Sequence, residues 1–174
     1  GDKSLSKRDF LRVIKPLEKF GAKFVSNHGK LPIKIQGSNY TKPIKYFENK
    51  GSAQCKSAVM FAALNTSGET IIKAKKSRDH SELLFKYLRL PIKVKNKKNF
   101  DIIKIEKVKK IKKLNYNIPS DISSSAFFIA LTILTGNSRL TIKNVNINPS
   151  RIGVITIFKK MGVKIIFKRK KIYK

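Results

Sequence analysis

The 174-residue chain is 41% hydrophobic, which is enough for one ordinary domain or for one small domain and part of another. Its 40 basic and 10 acidic residues give a net charge of +30, but 33 of the basic residues are scattered lysines, without the arginine or aromatic clusters that nucleic-acid recognition favours. No apolar run is long enough for a membrane span, the lone Cys55 excludes an internal disulfide, and the separated His28 and His80 offer no metal-ligand cluster.

The first part of the chain is predicted to contain one helix and several short strands. Residues 1–8 are predicted as a polar loop. Residues 9–20 carry apolar side chains at helical spacing, with Pro16 as a candidate kink, and Gly21 ends the helix. Short strands are predicted over residues 22–26, 31–36 and 44–47.

The stretch GSAQCKSAVMFAAL, residues 51–64, predicts a helix whose N-terminus faces a ligand. Ser52 occupies the N-cap position, and the free amides of the first turn, with the positive end of the helix dipole, form an anion site without a full charge. Four alanines keep this helix thin enough to pack closely on other backbone. A serine-capped helix is also common in protein cores, so the pattern alone leaves a purely structural role open.

Further along the chain, strands and helices continue to alternate. After a turn at residues 65–68 we predict a strand at 70–74, a loop at 75–79, a helix at 80–88, and strands at 92–94 and 101–105. A second apolar helix opens with three serines at residues 123–125 and ends at Gly136. A strand at 140–143, a loop that contains Arg151, and a helix that ends near Met161 follow it.

This second series repeats the first at a spacing of 68 residues. Ala58 and Ala126 hold equivalent places near the helix starts, and Gly68 and Gly136 hold equivalent places after the helix ends. A unit of about 70 residues is therefore present once in full, after the tail of one copy and before most of another. The order within the unit is strand, helix, strand, helix, strand, strand.

The alternation predicts an α/β fold in which right-handed crossovers pack helices against sheets. Helices as apolar as those at residues 58–64 and 126–134 must be buried nearly all round, and repeats with helices inside and sheets outside satisfy that requirement. The segment around Pro119 falls between two copies. We therefore expect residues 1–118 to belong to a first lobe and residues 119–174 to begin a second.

Several strings along the chain together resemble one known family. GDKSLSKR, PLEKFGA, KLPIKIQG, PIKY, GSAQCKSA, SRDHSE, PSDISSSAFF and NPSRIGVI occur in the order and spacing of 5-enolpyruvylshikimate-3-phosphate synthase, also called 3-phosphoshikimate 1-carboxyvinyltransferase. The resemblance covers essentially all 174 residues. The sister family, UDP-N-acetylglucosamine enolpyruvyl transferase, shares the fold and the repeat but not the SAQ and SRDH strings.

The resemblance implies a two-lobed inside-out barrel that moves the enolpyruvyl group of phosphoenolpyruvate onto the 5-hydroxyl of shikimate 3-phosphate, on the way to chorismate and the aromatic amino acids. It also implies no cofactor, no metal, a cytoplasmic location and a full-length monomer that binds neither membranes nor a specific nucleic acid. The residues that match the family's shikimate 3-phosphate segments are Ser52, Ala53, Gln54, Ser77 and Arg78, and Arg8 matches the arginine of the SKRP motif that contacts phosphoenolpyruvate.

Plainer interpretations of the same residues stay open on the sequence alone. Arg8 is then a solvated loop residue, Ser77 an N-cap, Gln54 a surface residue, and Lys56 and His80 mere neighbours of the site. The chain also departs from the family: Asp9 and Phe10 follow Arg8 where proline and methionine are usual, and we expect the acid to draw the arginine away from phosphoenolpyruvate.

No pair of residues that could donate and accept a proton is identifiable in the sequence, and in the family these residues fall outside the matched segments. We therefore expect a chain that begins without methionine to be a piece of a longer enzyme, and to bind substrate weakly and not turn over by itself. Three alternatives remain open: a lysine-rich nucleic-acid-binding module, the sister UDP-N-acetylglucosamine enolpyruvyl transferase, and a noncatalytic remnant.

Overall fold

The computed structural model describes residues 2–168, and the chain divides into two compact units, unit 1 (residues 1–112) and unit 2 (residues 113–174). This division lies ahead of the segment around Pro119, and the assignment of the two lobes stays a prediction. Unit 1 contains α1 (Lys3–Ser6), α2 (Leu11–Lys19), β1 (Lys23–Asn27), β2 (Lys30–Gln36), β3 (Lys45–Glu48), α3 (Ala53–Leu64), β4 (Thr70–Lys75), α4 (His80–Tyr87), β5 (Ile92–Asn96) and β6 (Phe100–Ile105). Unit 2 contains α5 (Ile122–Leu134) and α6 (Gly153–Lys160).

Unit 1 has two sheets. Strands β1 and β2 pair as an antiparallel hairpin, and the other four strands form a mixed sheet in the order β3-β4-β6-β5. Within the mixed sheet, β3 and β4 are parallel, and β6 is antiparallel to both β4 and β5. The elements from β3 to β6 follow the predicted order of the complete repeat unit, and they confirm the α/β class.

The core of unit 1 lies where helices α3 and α4 cover one face of the mixed sheet. Alternate residues of β4 and β6 point to this face, so that Ile72, Ile103 and Ile105 are fully buried. They belong to one apolar cluster with Met60 of α3 and Phe85 of α4. The side chains that alternate with them, such as Lys73, lie on the outer face, as a fold with inward helices and outward sheets requires.

Most of the surface of helix α3 is buried against neighbouring elements, as predicted. Val59, Met60 and Ala63 are fully buried, and Cys55 is buried as well, as is common for a free cysteine. The exceptions are Gln54 in the first turn and Phe61, which is 52% exposed. The helix therefore has its apolar body in the core and its N-terminus near the surface.

Three predictions about local structure are wrong. Residues 1–8 are not all loop, because the Asp2 carboxylate accepts a 2.7 Å hydrogen bond from the Leu5 amide and caps the short helix α1. Residues 140–143 form no described strand, since a strand needs a hydrogen-bonded neighbour and the described part of unit 2 offers only an isolated bridge between Ser120 and Val145.

The third wrong prediction concerns helix α5, which is not buried all round within unit 2. Phe127 is 80% exposed and Leu134 is 83% exposed, while Ile122 and Ser125 are buried. A helix buries only the surface that its neighbours cover, and α6 is the helix that contacts α5 within the unit. No helix in residues 2–168 is both long enough and apolar enough to span a bilayer.

Candidate functional site

The parallel pairing of β3 and β4 brings two loops of unit 1 to the same edge of the sheet. Each strand runs into a loop and then a helix, so the loop before α3 and the loop before α4 both follow the carboxyl ends of adjacent parallel strands. Such an edge is where ligands bind in open α/β sheets. The backbones are close, because a Cβ added to Gly51 would lie 3.3 Å from the Lys76 carbonyl oxygen, and Gly51 has a positive φ of 72°.

Ser52 caps helix α3 as predicted from the sequence. Its backbone is extended, and its Oγ accepts a 3.2 Å hydrogen bond from the Cys55 amide. No acidic side chain lies in the first turn, so the positive end of the helix dipole has no local counter-charge there. The helix end is therefore suited to an external anion.

The second loop, residues 76–79, carries Ser77 and Arg78. The Arg78 side chain is exposed, and its guanidinium makes no hydrogen bond or ion pair within the part of the chain that the structure describes. The Ser77 hydroxyl is buried without a hydrogen-bond partner among those residues. A buried hydroxyl without a partner is costly, and a bound ligand or a water molecule would satisfy it.

Gln54 is oriented by an arginine that the sequence analysis did not select. The Nη2 atom of Arg12, on α2, donates a 3.3 Å hydrogen bond to Gln54 Oε1. Arginine only donates, so this contact fixes the amide oxygen toward Arg12 and leaves the amide nitrogen of Gln54 to donate elsewhere. The first turn of α3 thereby gains a neutral donor beside its free backbone amides.

These groups meet at an open cavity of about 420 Å³. Its wall includes three of the predicted residues, Ala53, Gln54 and Arg78, and the other two, Ser52 and Ser77, directly precede wall residues in the chain. The remaining lining residues are Ser57, Ala58, His80 and Ser81. The cavity thus brings together a helix N-terminus, an amide donor and an exposed guanidinium, a combination that can hold a phosphate and hydrogen-bond hydroxyls.

Arg8 is exposed in the short connection between α1 and α2, and its amide donates a 3.0 Å hydrogen bond to the Leu5 carbonyl oxygen. No described contact joins Arg8 to the cavity, so its role stays a prediction. We expected Asp9 to draw the Arg8 side chain toward itself, but no ion pair between Asp9 and Arg8 is present among the described residues. Instead, Asp9 Oδ1 accepts a 2.6 Å hydrogen bond from the Leu11 amide at the start of α2.

Unit 2 contains the equivalent helix start and arginine loop, but its arginine is already paired. Arg151 Nη2 lies 2.6 Å from Oδ1 of Asp121, the N-cap of α5, and 2.5 Å from Ser123 Oγ. The hydrogen bond from the Ser123 amide, followed by the one from Arg151, lowers the pKa of the Asp121 carboxyl below its usual range. An internal carboxylate thus neutralises Arg151, whereas no carboxylate of the described residues forms an ion pair with Arg78.

The described residues contain no cluster of three or more histidine, cysteine, aspartate or glutamate side chains that could hold a metal ion.

Lys56 is more than the mere neighbour of the site that its sequence position suggests. Its side chain is 1% exposed, and its Nζ donates a 2.8 Å hydrogen bond to the Arg78 carbonyl oxygen. A lysine within an otherwise uncharged helix was the available signal, because a buried charge requires partners.

Comparisons of the whole chain with known proteins give consistent matches to one family. The sequence model of the family described as EPSP synthase (3-phosphoshikimate 1-carboxyvinyltransferase) matches residues 1–173. The 3-phosphoshikimate 1-carboxyvinyltransferase of Endomicrobium trichonymphae is 45% identical over 166 residues, which are 95% of this chain and 38% of that protein. The protein of the same name from Caldicellulosiruptor bescii is 43% identical over 168 residues, 95% of this chain and 39% of that protein.

Solved structures agree with the sequence comparison. The structure of EPSP synthase from Acinetobacter baumannii superimposes with a TM-score of 0.80 at 36% identity, covering 99% of this chain and 39% of that one. The chain therefore spans about two fifths of the length of the relatives that it matches. The similar fold agrees with the predicted inside-out arrangement of repeated α/β units.

Proposed function

Because this chain belongs to the EPSP synthase family, we propose that the whole protein transfers the enolpyruvyl group of phosphoenolpyruvate to the 5-hydroxyl of shikimate 3-phosphate and releases phosphate. Within that reaction, the 174-residue chain supplies part of the shikimate 3-phosphate site. The observation that carries the proposal is the cavity whose wall joins the first turn of α3 to Arg78.

The roles of the residues follow from their chemistry. The backbone amides at the Ser52-capped end of α3 donate hydrogen bonds to the phosphate. Arg78 adds a planar guanidinium that can hold two phosphate oxygens at once. The buried Ser77 hydroxyl gains a hydrogen-bond partner by donating to the ligand. Gln54, held by Arg12, donates its amide N–H groups to ring hydroxyls, next to the Ala53 backbone.

Arg8 is assigned to phosphoenolpyruvate on the family motif alone. In the described structure, Asp9 bonds to the Leu11 amide and not to Arg8, and this supports a guanidinium whose charge is available to an anionic substrate. Phosphoenolpyruvate carries a phosphate and a carboxylate, and both suit arginine. The reaction is expected to need no cofactor and no metal, and the protein is expected in the cytoplasm as a monomer.

We predict that the isolated 174-residue chain binds shikimate 3-phosphate weakly and does not turn over. The cavity wall supplies groups that bind phosphate, but among its described residues His80 is the one side chain of a general acid–base type, and the reaction needs both a placed proton donor and a placed acceptor. With part of a site, we expect a dissociation constant on the order of 1 mM, which corresponds to about 4 kcal/mol of binding free energy.

Two measurements on the purified chain test this prediction. Phosphorus-31 NMR of shikimate 3-phosphate, titrated with the chain, should show saturable line broadening or a shift of the phosphate signal. A phosphate-release assay with both substrates should remain at background. Released phosphate would overturn the expected inactivity, and a phosphate signal that never changes would overturn the assigned site.

A further inference from the structure

Lys56 is a buried cation in the second turn of α3, where the neighbouring side chains are apolar or small. It is 1% exposed, and a buried ammonium is strongly unfavourable unless hydrogen bonds and an opposite charge compensate for the lost water. The structure gives it both. Its Nζ lies 2.6 Å from Glu82 Oε1 on α4 and donates a 2.8 Å hydrogen bond to the Arg78 carbonyl oxygen.

These two contacts tie three pieces of unit 1 together: helix α3, helix α4 and the loop that carries Arg78. The contact to the loop goes to the backbone of the same residue whose guanidinium lines the cavity. Among the described residues, the backbone hydrogen bonds of the loop also include a 3.4 Å bond from the Lys76 amide to the Asn99 carbonyl oxygen and a 3.0 Å bond from the Leu83 amide to the Asp79 carbonyl oxygen. The Lys56 ammonium therefore holds the middle of the loop.

We propose that Lys56 is a positioning residue, which places the Arg78 backbone against the N-terminal turns of α3 so that the guanidinium and the helix amides face the same anion. The ion pair with Glu82 neutralises the buried ammonium, while the hydrogen bond to the Arg78 carbonyl sets the geometry of the site. The identity of the ligand, shikimate 3-phosphate, rests on the proposed function. The claim that Lys56 positions the loop in the free chain is independent of that function.

The test separates the hydrogen bond from the ion pair. The double variant Lys56→Met with Glu82→Gln removes both charges without leaving a carboxylate unpaired, and the single variant Glu82→Gln keeps the ammonium and an oxygen acceptor for it. A third variant, Lys56→Arg, retains the charge and the donors. Two readouts are used: shikimate 3-phosphate affinity by phosphorus-31 NMR, and hydrogen exchange, without ligand, of the Lys76 and Leu83 amides, whose hydrogen bonds anchor the two ends of the loop.

We expect the double variant to bind shikimate 3-phosphate about 10-fold more weakly and to exchange faster at the Lys76 and Leu83 amides. Glu82→Gln leaves the buried ammonium without a counter-charge and should lower stability, but it should change the affinity of the folded chain by less than about twofold. Lys56→Arg should recover most of the lost affinity. The proposal is overturned if the folded double variant keeps the affinity and exchange of the parent chain, or if Glu82→Gln alone produces the full loss. If the parent chain binds no shikimate 3-phosphate, the proposed function fails, and the exchange comparison still decides the role of Lys56.

A direct measurement on the parent chain covers the case in which the double variant does not fold. Lys56 Nζ donates its hydrogen bond to the Arg78 carbonyl oxygen, so a scalar coupling between Nζ and the Arg78 carbonyl carbon should be detectable by NMR. Slow exchange of the buried ammonium with water makes this measurement possible. The surface pair of Lys104 with Glu69, in which Lys104 is 43% exposed, serves as the control, since we expect so exposed an ammonium to exchange rapidly with water. A Lys56 ammonium that exchanges as fast as that of Lys104 would overturn the proposal.

Discussion

Replacing Arg78 with alanine is expected to weaken the binding of shikimate 3-phosphate about 10- to 100-fold, since a hydrogen bond to a charged group contributes roughly 1.5–3 kcal/mol. The guanidinium lines the cavity beside the first turn of α3 and makes no hydrogen bond or ion pair among the described residues. Its removal should therefore leave the fold of unit 1 unchanged. Phosphorus-31 NMR titration of the variant and the parent chain measures the loss.

The control for this variant is Arg139→Ala, which removes the same charge from an exposed position in unit 2. With a net charge of +30, any cation contributes to the attraction of an anion, and this shared effect should be small and should fade with added salt. An equal loss of affinity in the two variants would show that the phosphate responds to the overall field and not to a site at Arg78.

Replacing Phe85 with alanine is expected to destabilise unit 1 by about 3–5 kcal/mol, because truncating a buried phenylalanine loses apolar burial and leaves a cavity. Phe85 is fully buried and packs edge-on against Phe61, with ring centroids 5.1 Å apart and planes at 75°. It anchors α4 to the core, and α4 follows directly after the Arg78 loop. Urea unfolding followed on the backbone amide signals of β4 measures the change.

Phe47→Ala provides the matched control, since the same side chain is 60% exposed on the outer face of the sheet with Lys73 over its ring. An exposed cation over an aromatic ring contributes about 0.5–1 kcal/mol, so this variant should lose far less stability than Phe85→Ala. Similar urea midpoints for the two variants would contradict the placement of the core between α4 and the mixed sheet.

The sequence predicted the features of unit 1 that depend on local pattern. The serine cap of α3 and the order of elements from β3 to β6 follow from capping chemistry, hydrophobic periodicity and the internal repeat, and the structure has both. The meeting of the α3 N-terminus with Arg78 was predicted from family motifs. The structure adds the physical reason, which is the parallel pairing of β3 with β4.

The features that could not be predicted from the sequence depend on contacts between residues that are distant in the chain. The contact of Arg12 with Gln54 joins positions 42 residues apart, and that of Lys56 with Arg78 joins positions 22 apart, so neither has a local signature. The burial of α5 was overestimated for the same reason. Apolar composition shows that a helix can be buried on every side, but the neighbours present decide which sides are covered.

An amide NMR titration of the 174-residue chain with shikimate 3-phosphate tests whether one phosphate contacts both the α3 N-terminus and the arginine loop. If it does, the amides of residues 52–55 and 77–78 shift together along one binding curve. Shifts confined to one of these segments, or spread over the surface lysines without either segment, would contradict that shared contact.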